Sequence, residues 1–135
     1  MRFMILVKAT KDSEAGKWPE PKKLEEMFAA MTTYHEELAK AGALLDGSGL
    51  QPSSKGWRVQ YAGGKATVID GPFAESKELV AGYTIIQCKS REEALAWTRR
   101  FPNPAVADGE IEVRQLYEPD EFVELLRVHG VPTQS

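Results

Sequence analysis

The chain has 135 residues, a hydrophobic fraction of 42%, a charged fraction of 27% and a net charge of -3. This length and composition suit one globular domain with a real core, residues 1–135. Interspersed acids and bases argue against nucleic acid, which needs a concentrated basic surface, and the one cysteine, Cys88, excludes an intramolecular disulfide and a thiolate metal site.

Arg2-Phe3-Met4-Ile5-Leu6-Val7-Lys8 is apolar on both alternating sets, which predicts a strand buried on two faces. Thr10 to Pro21 reads as a polar loop around Trp18. Leu24, Met27, Phe28, Met31, Tyr34, Leu38 and Ala41 recur at three- and four-residue steps, the stripe of an amphipathic helix, with Gly42 placed to stop it. Ala43-Leu44-Leu45 starts a strand that Asp46-Gly47-Ser48-Gly49 interrupts and Leu50 resumes. Trp57, Val59 and Tyr61 alternate with polar residues up to Gly63-Gly64, and Lys65 to Ile69 returns, so a hairpin is expected.

The run Asp70-Gly71-Pro72-Phe73-Ala74-Glu75-Ser76-Lys77-Glu78 follows. A plain connection needs only Gly and Pro, so its aromatic and charged residues mark it as the functional loop. Val80 to Cys88 is again apolar on both faces. Ser90 and Glu93 form a capping-box pattern before a helix striped by Ala94, Trp97 and Phe101. Ile111 to Tyr117 alternates as a last strand, and Pro119 opens a terminal helix over 119–130 with Phe122, Leu125 and Leu126 expected inward.

The order β-α-β, hairpin, β-α-β predicts an α+β, ferredoxin-like sandwich with both main helices on one sheet face. Two strands that are apolar on both sides need a second cover. A homodimer packed sheet to sheet is the simplest; the hairpin or terminal helix folding over is the rival.

The chain resembles the YCII-related family, and within it the DGPF-domain branch. The resemblance rests on Asp70 to Glu78, on Gly82-Tyr83, on Ala41-Gly42 and on Glu112-Val113-Arg114, and covers roughly residues 1–118. It implies a dimeric α+β barrel and a family whose members mostly lack an assigned reaction. Some members are encoded near alternative sigma factors, which implies a stress or regulatory context. A better-studied branch implies a catalytic His on the first helix and an Asp after the second. Counted back from Gly42, the His position falls near Met31, not His35, and the Asp position falls near Phe101, just before Pro102, so the pair does not carry over.

Asp70 ends a strand before a Gly-Pro turn, where a carboxylate either faces a cleft or caps its own turn. His35 lies on the apolar helix stripe four residues after Met31 and points at the sheet, as a general base or as a hydrogen-bonded core histidine. Phe73 reads as an anchor or pocket wall. Glu75, Lys77, Glu78 and Arg114 read as ligand contacts or as surface ion pairs. Cys88 reads as a small buried hydrophobe. No metal constellation or phosphate-binding loop is present in the sequence, so no cofactor is expected. The absence of a charged segment leading into a long apolar run predicts no signal peptide, no membrane span and a cytoplasmic protein.

Two functions follow. One is a dimeric small-molecule-binding protein acting on a small polar or aromatic metabolite, as a cofactor-free enzyme if Asp70 or His35 moves a proton. Barrel relatives of the fold include isomerases and monooxygenases, an analogy of fold alone. The other is a non-enzymatic accessory or regulatory protein that binds a protein partner.

Overall fold

In the computed structural model, which describes residues 1–133, four strands form one antiparallel sheet in the order β2-β5-β1-β6. These are β1 (Arg2–Lys8), β2 (Leu44–Gly49), β5 (Val80–Gln87) and β6 (Ile111–Gln115); β3 (Trp57–Ala62) and β4 (Lys65–Asp70) pair only with each other. Among the described residues there are four α-helices: α1 (Lys11–Glu14), α2 (Pro21–Lys40), α3 (Arg91–Arg99) and α4 (Pro119–Val128).

The strand order is that of the split βαβ sandwich, with α2 and α3 on one face. Phe3, Ile5 and Ile86 meet Tyr34 and Leu38 of α2 and Ala94 of α3 in the core. Ile5, Leu38 and Ile86 are completely buried, and Cys88 joins them as a small apolar residue. Tyr34 spans the layer: its hydroxyl donates to the Trp97 carbonyl at 2.7 Å, and its ring meets Phe101 edge-on at 5.2 Å.

The expected barrel does not form. β2 and β6 are free edges that do not pair with each other, and the hairpin is a separate sheet. Closure into a barrel with a side-chain-filled interior takes about eight strands, and this sheet has too few. The expectation of a strand buried on two faces fails for a related reason. Phe3 and Ile5 are buried beneath the helices, whereas Met4 and Leu6 on the opposite side are only half-buried.

Neither rival element covers that side. Every residue of β3 and β4 is exposed, and α4 has no buried residue. Phe122, Leu125 and Leu126, expected inward, are 50%, 42% and 45% exposed. The start of α4 is held instead by Glu118, whose carboxylate accepts from Arg2 Nε at 3.1 Å. That guanidinium bond lowers the Glu118 pKa below its ordinary value.

Local chemistry explains most boundaries. Gly42, at φ 71°, turns the chain out of α2 after the Ala41 cap. Gly63 and Gly64, at φ 56° and 75°, supply the two left-handed positions of a tight hairpin turn. Ser90 accepts from the Glu93 N–H at 3.1 Å, while the Glu93 carboxylate reaches Lys89 N at 3.0 Å. The glycine-rich stretch after Leu45 does not interrupt β2, which runs through Gly49 with a bulge between Leu44 and Asp46. Ladder bonds need no side chains, and Gly49 lies opposite Gly82, where two backbones approach closely. The polar loop after β1 contains α1, capped by reciprocal bonds between Thr10 and Ser13.

Candidate functional site

The chemistry-bearing residues fall into two groups. The first centres on His35, half-buried under α2. Its Nδ1 lies 2.8 Å from the Met31 carbonyl, and its Nε2 lies 2.9 Å from Thr84 Oγ1. A carbonyl only accepts, so Nδ1 carries the proton in the neutral ring. Nε2 then presents a lone pair to the Thr84 hydroxyl. Thr84 is 2% exposed, in the middle of β5.

Beside this pair the sheet is floored by glycine. Gly47 pairs with Thr84 and Gly49 with Gly82, on the side that faces α2. A Cβ on Gly47 would come within 3.3 Å of His35 Nε2; a Cβ on Gly49 would meet nothing within 4 Å. Along α2 only Tyr34 and Leu38 are buried, and Leu24 and Met27 in its N-terminal half are half-buried. Phe28 there is 59% exposed and meets Trp18 at 6.3 Å between ring centroids.

The second group is the 70–78 loop, latched by contacts from elsewhere in the chain. The Phe73 N–H donates to Ser53 Oγ at 3.0 Å. Glu14 of α1 holds Ser53 in turn, accepting from its N–H at 2.9 Å and from its hydroxyl. The Gly71 N–H donates to the Gly56 carbonyl at 3.0 Å. A Cβ on Gly71 would overlap the Ser53 carbonyl, so only glycine fits. The Arg58 guanidinium lies 3.8 Å from the Phe73 ring centroid, a cation–π contact. Phe73 is thus an anchor by geometry, and the Gly71–Pro72 peptide is cis.

Asp70 is exposed at the end of β4 and, among the described residues, neither caps its turn nor meets His35. Glu75, Lys77 and Glu78 are exposed and carry no ion pair among the described residues. Arg114 lies across from Met4, on the sheet face away from the helices, and pairs with Glu112 at 3.1 Å. The loop residues therefore share one place, His35 has another, and Arg114 belongs to neither.

Sequence reasoning missed Thr84, Ser53, Glu14 and the stacking role of Arg58. The parity of β5 could have set Thr84 beneath the helix stripe that carries His35. Nothing local signals the Glu14–Ser53 contact, which joins segments far apart in sequence.

Open depressions occur elsewhere. One of about 450 Å³ lies at the hairpin turn, around Tyr61 and Lys65. Another of about 410 Å³ lies between Thr33 and Tyr34 of α2 and Arg100 and Pro102. Among the described residues no cluster of His, Cys, Asp and Glu could hold a metal ion, and no helix is long and apolar enough to cross a membrane.

An open antiparallel sheet with two helices on one face, and a histidine held between helix and sheet, defines a small α+β protein of the ferredoxin-like kind. The chain belongs to the YCII-related family, whose domain it matches over residues 1–120. It is 33% identical over 100 residues to the uncharacterized protein R00369 of Rhizobium meliloti (strain 1021), covering 73% of this chain and 81% of that one. Among solved structures it is similar to 5-chloro-2-hydroxyhydroquinone dehydrochlorinase from Burkholderia phenoliruptrix AC1100, in complex with 2,5-dihydroxybenzoquinone, at 14% identity and a TM-score of 0.44, covering 89% of this chain and 97% of that one.

Proposed function

We propose that the protein is a cytoplasmic, single-domain homodimer that binds a small polar or aromatic metabolite between the N-terminal half of α2 and the β2–β5 edge. One observation carries this reading: a Cβ on Gly49 would meet no atom within 4 Å, two residues along β2 from Gly47, which faces the histidine–threonine pair. A helix stripe laid over glycines leaves room that side chains do not fill, and a few polar groups then give a ligand its orientation.

In this reading His35 is the base. A ligand hydroxyl that displaces the Thr84 hydroxyl from Nε2 gives its proton to the ring, and the Met31 carbonyl keeps the resulting imidazolium oriented. No cofactor enters the step. The latched loop forms the rim, because Ser53, which holds Phe73, follows closely after Gly49 in the chain. Asp70, Glu75, Lys77 and Glu78 line that rim and select polar groups. The run from Asp70 to Glu78 also supports placing the chain in the DGPF-domain branch of its family.

A thermal-shift screen with small polar and aromatic compounds tests the reading. A ligand at one hundred times its dissociation constant stabilises the native state by about 2.7 kcal/mol. A hit lost in Gly49→Val, whose side chain fills the space, supports the reading. A hit kept in Gly49→Val but lost in Asp70→Ala moves the site to the loop.

α4 favours a second reading, an accessory protein that binds a protein partner, because Phe122, Leu125 and Leu126 are all exposed. A stoichiometric partner recovered with the full chain and lost in Phe122→Glu, with no compound giving a shift, would favour it.

A further inference from the structure

We infer that the β3–β4 hairpin is an exchange arm: in a two-fold dimer, the arm of each copy lies across the helix-free sheet face of the other. This rests on the homodimer proposed above and names its contact surface.

The arm is amphipathic. Its register sets Trp57, Val59, Tyr61, Ala66 and Val68 on one side, ended by Asp70, with Arg58, Gln60, Lys65 and Thr67 beside Ala62 and Ile69 on the other. The apolar side is uncovered: Trp57 is 65%, Tyr61 81% and Val68 63% exposed. A two-stranded hairpin is marginal in water by itself, and an exposed apolar ribbon invites association.

The same chain carries a matching surface. Met4 and Leu6 of β1 lie beside Ile85 and Tyr83 of β5 on the face opposite the helices. All four are half-buried, and neither the arm nor α4 of the same chain buries them. This apolar centre is rimmed by Asp46 and Ser48 on one edge strand and by Glu112 and Arg114 on the other.

Size fits as well. Six-residue strands make a ribbon about 20 Å long, and the axes of four strands span about 14 Å, so one arm crosses the sheet. The exposed aromatic and valine side chains offer roughly 500 Å² per arm. Two arms against two receiving faces would bury about 2,000 Å² in total, within the range of stable interfaces. The exchange is reciprocal, so it closes at two copies and satisfies both apolar surfaces without leaving a sticky end.

The test combines light scattering with cross-linking on the full chain. Wild type should be a dimer at tens of micromolar. The exposed-site double variant Tyr61→Glu with Val68→Glu should keep its circular dichroism and dissociate at concentrations about tenfold higher or more. A photo-cross-linker placed at position 61, in a mixture of heavy- and light-isotope chains, should join that position to β1 or β5 of the other isotope. A dimer that the double variant does not weaken, or cross-links confined to other segments, overturns the arm and leaves the homodimer standing. A monomeric wild type overturns both. Neither result touches the Gly49 test of ligand binding. A foreign protein cross-linked at position 61 in place of a second copy also overturns the proposal.

Discussion

His35 and Thr84 meet across the seam between α2 and β5, Nε2 to Oγ1 at 2.9 Å. The contact ties the one histidine on the helix stripe to a threonine that is 2% exposed. Thr84→Val keeps the shape and removes the hydroxyl, leaving a half-buried ring nitrogen without its partner. The expected loss is about 1–2 kcal/mol in urea unfolding, and Thr84→Ser should recover most of it. An unchanged midpoint for Thr84→Val would show that the bond carries no weight.

Gly71 is fixed by the Ser53 carbonyl, not by a positive φ. Gly71→Ala must push the loop off the 53–56 turn, and the overpacking should cost about 1–3 kcal/mol. Ser53→Ala removes the acceptor for Phe73 N–H and one donor to Glu14, with an expected loss of about 1 kcal/mol. Protease cleavage within 70–79 should accelerate in both variants. A loop as resistant as the wild type would contradict the latch.

Tyr34 gives the protein an alkaline limit. Burial pushes its hydroxyl up from 10.0 to about 12. The unfolded chain releases this proton near pH 10, by the ordinary tyrosine value, while the folded chain holds it. Stability is therefore full below pH 10 and falls as pH rises toward 12. Tyr34→Phe should flatten this part of the stability–pH curve, and should lose about 1 kcal/mol at neutral pH with the Trp97 carbonyl bond. An unchanged alkaline slope in the variant would remove Tyr34 as its source.

The core rests on Ile5, Leu38 and Ile86, each completely buried. Leu38→Ala should cost about 2–5 kcal/mol by chemical denaturation. Val128→Ala, on the exposed side of α4, should change stability by about 0.5 kcal/mol or less. Similar losses in the two variants would contradict the placement of the core.

Much of this fold was legible because its signals are local. The stripe from Leu24 to Ala41, the stop at Gly42, the Gly63-Gly64 turn and the Ser90 cap each need only a few neighbouring residues. What failed depends on tertiary cover. Alternation in the 57–61 and 65–69 segments predicts a hairpin correctly, but cannot say that nothing in the same chain lies against it. Phe122, Leu125 and Leu126 make an apolar face whether or not a surface meets it. The barrel came with the family resemblance, and the free edges of β2 and β6 correct it. At the candidate site, no local pattern reveals that Asp70 and His35 belong to different groups, or that Glu14 and Ser53 hold the loop between them.

The central claim is a ligand space in front of Gly49, bounded by His35 and Thr84. Chemical-shift mapping of isotope-labelled protein against a library of small polar and aromatic compounds tests it most directly. The account predicts shifts that cluster on the amides of Gly47, Gly49, Gly82 and Thr84 and on the His35 ring, and that vanish in Gly49→Val. Shifts confined to residues 70–79, or to the hairpin turn around Tyr61 and Lys65, or no shifts with any compound, would contradict it.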